Sequence, residues 1–417
     1  MSSEAQVAAV DARAEGLALD GLRRVAFTPA SGRFVMVVNP KAACSSFKYA
    51  VWEAEHRHGL TPFPPPPARA RGAIHRREKT ALPRTDMARL SGLIGGTPFY
   101  TVVRNPYTRL LSAWLDKIAG DKKEKRGLLL RMGYTSNRPI PFDAFVEFVA
   151  ATASSELDPH WAPQAYLTQY RFLPYAGVGA VEDLGRFLRH LLARHYGEAA
   201  DGGETIRAYR PHSTGASAAL GSHYTPRTLA LVRRRYADDF ALFGYPEDPA
   251  RAGEAPQPPA APVTPGGEVL VRAALAGWNA VQDGGTRRAV PGLRRHRDLV
   301  AARAVLAAAP QGEAGLLALA GRVDLALGRS ATAEDLLRRA IAAGSDEAAT
   351  YTALASCLVR QGRRDQAMAA VADAVAIAGL SPLVLRAAAR LAAAAGRTEA
   401  ALRYGALASL PPIDLAS

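Results

Sequence analysis

Four stretches of this chain carry residue types able to grip an anionic group and move a proton. The first is Pro40-Lys41-Ala42-Ala43-Cys44-Ser45-Ser46-Phe47-Lys48, which follows the short apolar, β-branched run Phe34–Asn39. A buried strand, a small-residue loop and a hydroxyl-bearing helix start form the layout of a phosphate cradle, in which backbone N–H groups and the helix dipole face the anion. Lys41 and Lys48 add charge, although Lys48 also reads as an exposed helix lysine. The pattern is not G-x-x-x-x-G-K-[ST], because the lysine precedes the loop instead of opening the helix. The second stretch is the strand Phe99–Val103 followed by Arg104-Asn105-Pro106 and a helix from Tyr107 to Ile118. Pro106 suits a first helical turn. Arg104 falls at the carboxyl end of its strand, where open α/β sheets bind ligands. Ser112 stands two turns into the helix, and an arginine fork with a serine hydroxyl can hold one phosphate from two sides. Arg109 lies nearby and reads as solvated. His75, between the two units, and His160 are the candidate bases. Cys44 reads as a small packed loop residue.

These residues need a sheet and helices to hold them, and the composition supplies both. A length of 417 residues, 48% of them hydrophobic and 22% charged, predicts two to three globular domains and excludes a fully disordered chain. No stretch of 18 uncharged apolar residues is present, so no transmembrane segment is expected. The N-terminal MSSEAQVAAVDARAEG carries acids and no basic-then-apolar signal pattern. With only two cysteines, far apart, a disulfide-built secreted fold is excluded, and a reducing cytoplasm is the expected setting. The net charge of +14 points to an anionic ligand or partner, or to compositional bias. Charge is the only support for nucleic-acid binding; no reading motif or aromatic platform accompanies it, so no nucleic-acid partner is expected.

Taken together, the two phosphate-gripping units resemble the sulfotransferases that use 3′-phosphoadenylyl sulfate (PAPS). PKAACSSFK resembles their 5′-phosphosulfate loop and VRNPYTRLLSAW their 3′-phosphate strand–helix, with the closest likeness to the carbohydrate enzymes of the chondroitin and dermatan 4-O type. Asp158–Gln164 (DPHWAPQ), Val178–Leu184 (VGAVEDL), Pro211–Gly215 (PHSTG), Tyr236–Phe240 (YADDF) and Phe243-Gly244-Tyr245 continue the likeness in order. The resemblance implies a P-loop-like three-layer α/β fold with a parallel sheet over residues 31–245, after an N-terminal extension (1–30). It implies in-line transfer of a sulfuryl group from PAPS to a hydroxylated acceptor such as a saccharide, without a metal. Lys41 would then contact the bridging oxygen and 5′-phosphosulfate. Ser45, Ser46 and the amides of Ala42, Ala43, Cys44, Ser45 and Ser46 would grip the same group, with Lys48 as a second cation. Arg104 and Ser112 would hold the 3′-phosphate. His75 lies where such enzymes often place their base, and His160 is its rival. Trp161 reads as core or adenine-adjacent packing, and Arg207 and Arg210 as anion-binding or solvated. Asn105 and Ala180 depart from the pattern, which more often has an acid and a lysine there. No counterpart of the animal enzymes' membrane anchor or disulfides is read, which leaves the saccharide acceptor and a Golgi setting open.

Residues Pro246–Gly267 (PEDPARAGEAPQPPAAPVTPGG) lack apolar periodicity and read as a linker. Beyond it, residues 268–417 read as an all-α repeat domain. Gly328, Gly362 and Gly396 recur every 34 residues, each followed by Arg, with Ala333, Ala367 and Ala401 five residues on and Ala340, Ala374 and Ala408 twelve on. Glycine closing one helix and alanines letting the next approach its neighbours fit a helix–turn–helix unit. These residues resemble the tetratricopeptide repeat, which implies a protein partner or self-association; an alanine-rich bundle is the alternative. Trp278 reads as the core of a degenerate upstream repeat. A P-loop kinase or nucleotide hydrolase, and a catalytically degenerate scaffold acting through its repeats, are the competing functions.

Overall fold

The computed structural model describes residues 22, 24–67, 74–75, 81–85, 87–173, 175–197, 215–257, 299–300, 303–304, 306–307, 314–379 and 381–409. The expectations for Arg207, Arg210, the Pro211–Thr214 segment, Trp278 and the second half of the linker lie outside the described residues. Two compact units emerge, each built from separate chain segments: Leu19–Asp116 with Pro159–Glu268, and Lys117–Asp158 with Val269–Ser417.

The first unit holds a four-stranded sheet in the order β1 (Ala26–Phe27), β2 (Val35–Val38), β3 (Phe99–Val103), β4 (Tyr175–Ala180). β1 runs antiparallel to β2, so residues assigned to an N-terminal extension add a strand to the sheet. β2–β3 and β3–β4 are parallel, with Val35 opposite Phe99 and Val38 opposite Val102. Every residue of β2 and β3 is buried, which is why both strands read as continuous apolar runs without alternation. Helix α1 (Cys44–Arg57) follows β2, and a short α2 (Met87–Leu93) precedes β3. α3 (Pro106–Lys117) follows β3. Its start is organised by Asn105, whose Oδ1 accepts from the Tyr107 amide at 3.0 Å. Asparagine caps a helix about as well as aspartate, so the departure from an acid at this position leaves the capping role filled. Across the sheet, Asn39 Nδ2 donates to Thr101 Oγ1 at 3.1 Å and to Val102 O at 2.9 Å, which fixes the end of β2 against β3.

The second unit contains α4 (Lys123–Arg131) and α5 (Phe142–Ala151) from the middle of the chain. α6 (Gln164–Thr168), α7 (Leu184–Tyr196), α8 (Leu220–His223), α9 (Pro226–Arg235) and α10 (Ala237–Phe243) belong to the first unit. The C-terminal helices pair in succession: α11 (Ala314–Ala326) with α12 (Ser330–Ala342), α13 (Ala348–Arg360) with α14 (Arg364–Ala378), and α15 (Pro382–Ala394) with α16 (Thr398–Ala408). Gly328, Gly362 and Gly396 close α11, α13 and α15 with φ of 81°, 76° and 73°, the left-handed cap that glycine alone adopts without strain. Ala333, Ala340, Ala367 and Ala374 are fully buried, as close helix approach requires. Ala401 and Ala408 are only partly buried, because among the described residues no helix follows α16 to cover them. Mid-chain and repeat segments meet directly: the Ser154 amide donates to Asp346 Oδ2 at 3.2 Å, and a Cβ at Gly379 would stand 3.3 Å from Arg131 O. A cut at the proline-rich segment would therefore expose part of Lys117–Asp158. No described helix is long and apolar enough to cross a membrane.

Candidate active site

The two phosphate-gripping units stand side by side at the carboxyl ends of β2 and β3. Beyond Asn39 the chain turns through Pro40–Ala43 into α1. Lys41 (φ 68°) and Ala43 (φ 50°) both adopt the left-handed region. That backbone costs an L-residue roughly 1–2 kcal/mol, and glycine is the usual occupant. Two such non-glycine residues within three positions mark a loop whose shape is imposed by its surroundings, a pattern concentrated at functional sites. Ala43 is the N-cap of α1 and no side chain caps the helix. The loop therefore presents the first-turn amides of Cys44, Ser45 and Ser46 without a competing carboxylate or hydroxyl cap. Ala42, also expected as an amide donor, is buried, and its amide instead donates to the Asn39 carbonyl at 3.2 Å.

Around this turn the cations divide into distinct roles. Lys41 Nζ lies 3.0 Å from Asp116 Oδ2, on α3 one turn beyond Ser112. Arg104 donates from Nε to Thr108 Oγ1 at 3.0 Å and from Nη1 to Lys41 O at 3.3 Å, which joins the two units through one guanidinium. Burial lowers the Arg104 pKa, opposed chiefly by the Glu182 carboxylate. Glu182 in turn accepts from the Asn105 amide and from Tyr245 Oη, at 3.2 and 2.9 Å. Ser112 is 2% exposed, so its hydroxyl sits inside the packing of α3. Lys48 is buried rather than exposed, with its ammonium 3.7 Å from the centre of the Phe27 ring. A cation over an aromatic face explains how this lysine is accommodated under the helix.

Of the two candidate bases, His75 reaches the start of α1 directly. His75 is exposed, and its Nε2 lies 2.8 Å from Ser45 Oγ. His160 is half-buried on the segment before α6, and its charge acts on the Cys44 thiol. Trp161 is buried in the core, and its carbonyl accepts from Tyr236 Oη at 2.5 Å. Arg109, which reads from sequence as solvated, is instead 1% exposed. Asp116 and Arg109 are the residues that sequence reasoning missed. Their only local signal is spacing, since Arg109, Ser112 and Asp116 share one face of α3 at intervals of three and four residues.

The profile of the sulfotransferase family matches residues 31–246, more than half of the chain and all of the site just described. The chain belongs to the sulfotransferase family. No curated protein matches it. Family membership makes it a transferase acting on an acceptor substrate. Among the described residues of this sulfotransferase, no group of three or more His, Cys, Asp or Glu side chains could hold a metal ion.

Cys44 differs from the inert packed residue that its position implies. Burial raises its pKa, but the hydrogen bond and charge of His75, aided by Lys48 and His160, outweigh that and hold the thiol at about 6. Cys357, buried among the repeat helices, is pushed up to about 11 by desolvation. Iodoacetamide at pH 7 is therefore expected to label Cys44 and spare Cys357, because the thiolate is the nucleophile. The Cys44 rate should rise with a midpoint near pH 6. A midpoint at or above the free-thiol value of about 8.5 would contradict this arrangement of His75, His160 and Lys48 around the loop.

Proposed function

We propose that the sulfotransferase domain transfers a sulfuryl group from PAPS to a hydroxyl of an acceptor, a saccharide being the acceptor class we favour, by in-line displacement within a P-loop-like three-layer fold. The observation that carries this reading is the Arg104 guanidinium reaching the Lys41 carbonyl at 3.3 Å across adjacent strand ends. It supports one ligand spanning both units, with a phosphosulfate at the α1 amides and a second phosphate at Arg104 and Ser112. The donor supplies the transferable sulfuryl group. Lys41 stabilises the charge that develops on the 5′-phosphate side as the S–O bond breaks, which requires exchanging Asp116 for the donor. The amides of Ala43 to Ser46 and the Ser45 and Ser46 hydroxyls hold the phosphosulfate oxygens in line, while the Ala42 amide is already engaged by the Asn39 carbonyl. Preorganised donors of this kind account for most of the acceleration in such sites. His75 accepts the acceptor hydroxyl proton as the new S–O bond forms, and His160 is the second candidate for that role. Ser112 is 2% exposed, whereas Arg104 is partly exposed at the strand end.

Scanning fluorimetry with the desulfated donor PAP, ATP and NAD tests this reading. PAP at one hundred times its Kd should stabilise the chain by about 2.7 kcal/mol. ATP and NAD, which lack the 3′-phosphate, should shift it far less. Stabilisation by ATP with Mg²⁺ and not by PAP would favour the kinase reading, and none by any of the three would favour a degenerate scaffold.

We also propose that the helix pairs are a tetratricopeptide-like repeat domain serving a protein partner or self-association. The recurrent left-handed glycine caps and fully buried alanines at 34-residue spacing support this. Arg363 pairs with Glu334 at 2.7 Å, and Arg397 pairs with Asp365, so the arginines after Gly362 and Gly396 reach back to the preceding repeat, whereas Arg329 pairs with Asp324 of its own repeat.

A further inference from the structure

Arg109 is a fully buried cation that the donor chemistry above does not use. Its three nitrogens each donate to a main-chain carbonyl: Nε to Pro40 at 3.0 Å, Nη1 to Ala162 at 2.8 Å and Nη2 to Pro159 at 2.9 Å. These carbonyls belong to two segments about 120 residues apart in sequence. Pro40 immediately precedes Lys41, and Pro159 and Ala162 bracket His160. Taking a guanidinium out of water costs several kcal/mol unless its N–H groups are satisfied, and an apolar residue would pack the same space without that cost. α3 shows the alternative in its neighbours Leu110 and Leu111, both buried.

The far side of the His160 segment is held just as firmly. Asp239, fully buried, accepts from the Gln164 amide at 2.9 Å, from Gln164 Nε2 at 3.2 Å and from the Ala165 amide at 2.7 Å. Gln164 in turn accepts from the Arg104 amide and donates to the Arg104 carbonyl, each at 2.9 Å. One stretch of chain, 159–165, is thus clamped between a buried cation and a buried carboxylate, with the Lys41 turn on one side and Arg104 on the other.

We propose that Arg109 is a positioning residue that holds the Lys41 turn and the His160 segment in register. It touches neither donor nor acceptor and acts through Lys41 and His160. The proposal rests on the sulfuryl-transfer reading only for its consequence; the clamp itself is a statement about geometry. Misplacement of a reacting group by about 1 Å can cost ~10²-fold in rate, so a rigid tie between these segments has catalytic value.

The test uses the full chain and two readouts, PAP titration and the pH profile of Cys44 alkylation, in wild type, Arg109→Lys, His160→Gln and the double variant. Arg109→Lys keeps a charge but cannot serve three carbonyls at once. PAP affinity should change by less than about threefold, because Arg104 remains in place. Alkylation of Cys44 at pH 6 should slow by about twofold or more, because the His160 charge has moved from the thiol that it helps to ionise. His160→Gln should slow alkylation similarly, and the double variant should slow it no further than the larger single effect, since both act through the His160 charge. An unchanged profile in Arg109→Lys, or fully additive effects, overturns the clamp. If Arg109→Lys fails to fold, an unchanged profile in His160→Gln alone overturns it, and a slowed profile there together with that folding failure supports it. Absence of PAP binding in wild type would instead count against the donor reading and leave the alkylation result to decide the clamp.

Discussion

Replacing Lys41 with alanine is expected to lower turnover by ~10²–10³-fold, the typical cost of removing one preorganised group that stabilises developing charge. PAP affinity should fall much less, because PAP lacks the sulfuryl group whose departure Lys41 assists. The Asp116 carboxylate complicates the single variant. It lies 3.0 Å from the ammonium, and without Lys41 its negative charge would face the incoming 5′-phosphate. The double variant Lys41→Ala with Asp116→Asn removes that repulsion. It should regain PAP affinity while leaving turnover as low as in the single variant. Equal losses of affinity and turnover in both variants would mean that Lys41 only binds.

The second large effect concerns the base. His75→Ala should lower kcat by ~10²–10⁴-fold with the donor still bound, the usual contribution of general base catalysis. The contact from His75 Nε2 to Ser45 Oγ, 2.8 Å, places the imidazole beside the hydroxyl assigned to the phosphosulfate. His160→Ala is expected to cost less, as that residue sits on a segment fixed mainly through its main chain. Steady-state kinetics on both variants with PAP titration decides this. A loss confined to His160→Ala reverses the assignment.

Much of the site is legible because its signals are local. Phe99–Val103 is a strand over the residues that its composition marks, and β2 occupies Val35–Val38 within the run Phe34–Asn39. Gly59, with φ 67° just beyond α1, is the kind of left-handed glycine that marks a helix end in sequence. The repeat glycines are equally readable, since a left-handed cap leaves one residue type at a fixed interval. What escapes is tertiary. Lys41 and Asp116 are 75 residues apart, and nothing in a helix pattern tells an aspartate that partners a loop lysine from one that faces water. Arg109 reads as solvated because charge on a helix usually is; only the convergence of three carbonyls from distant segments makes burial tolerable. Lys48 is buried for a related reason, over Phe27 of a two-residue strand too short to show periodicity. Lys117–Asp158 groups with the repeats through contacts such as that of Ser154 with Asp346, 192 residues on, which no composition shift announces.

The central claim is that the ends of β2 and β3 form one site for a donor bearing phosphate at both its 5′ and 3′ positions. Calorimetric titration of wild type and Arg104→Ala with PAP and with ATP tests it most directly. Wild type should bind PAP far more tightly than ATP, and Arg104→Ala should lose ~1.5–3 kcal/mol of PAP affinity, the worth of a charged hydrogen bond, while its weak affinity for ATP stays unchanged. PAP affinity that survives the loss of Arg104 intact, or wild type that does not distinguish PAP from ATP, would contradict the account.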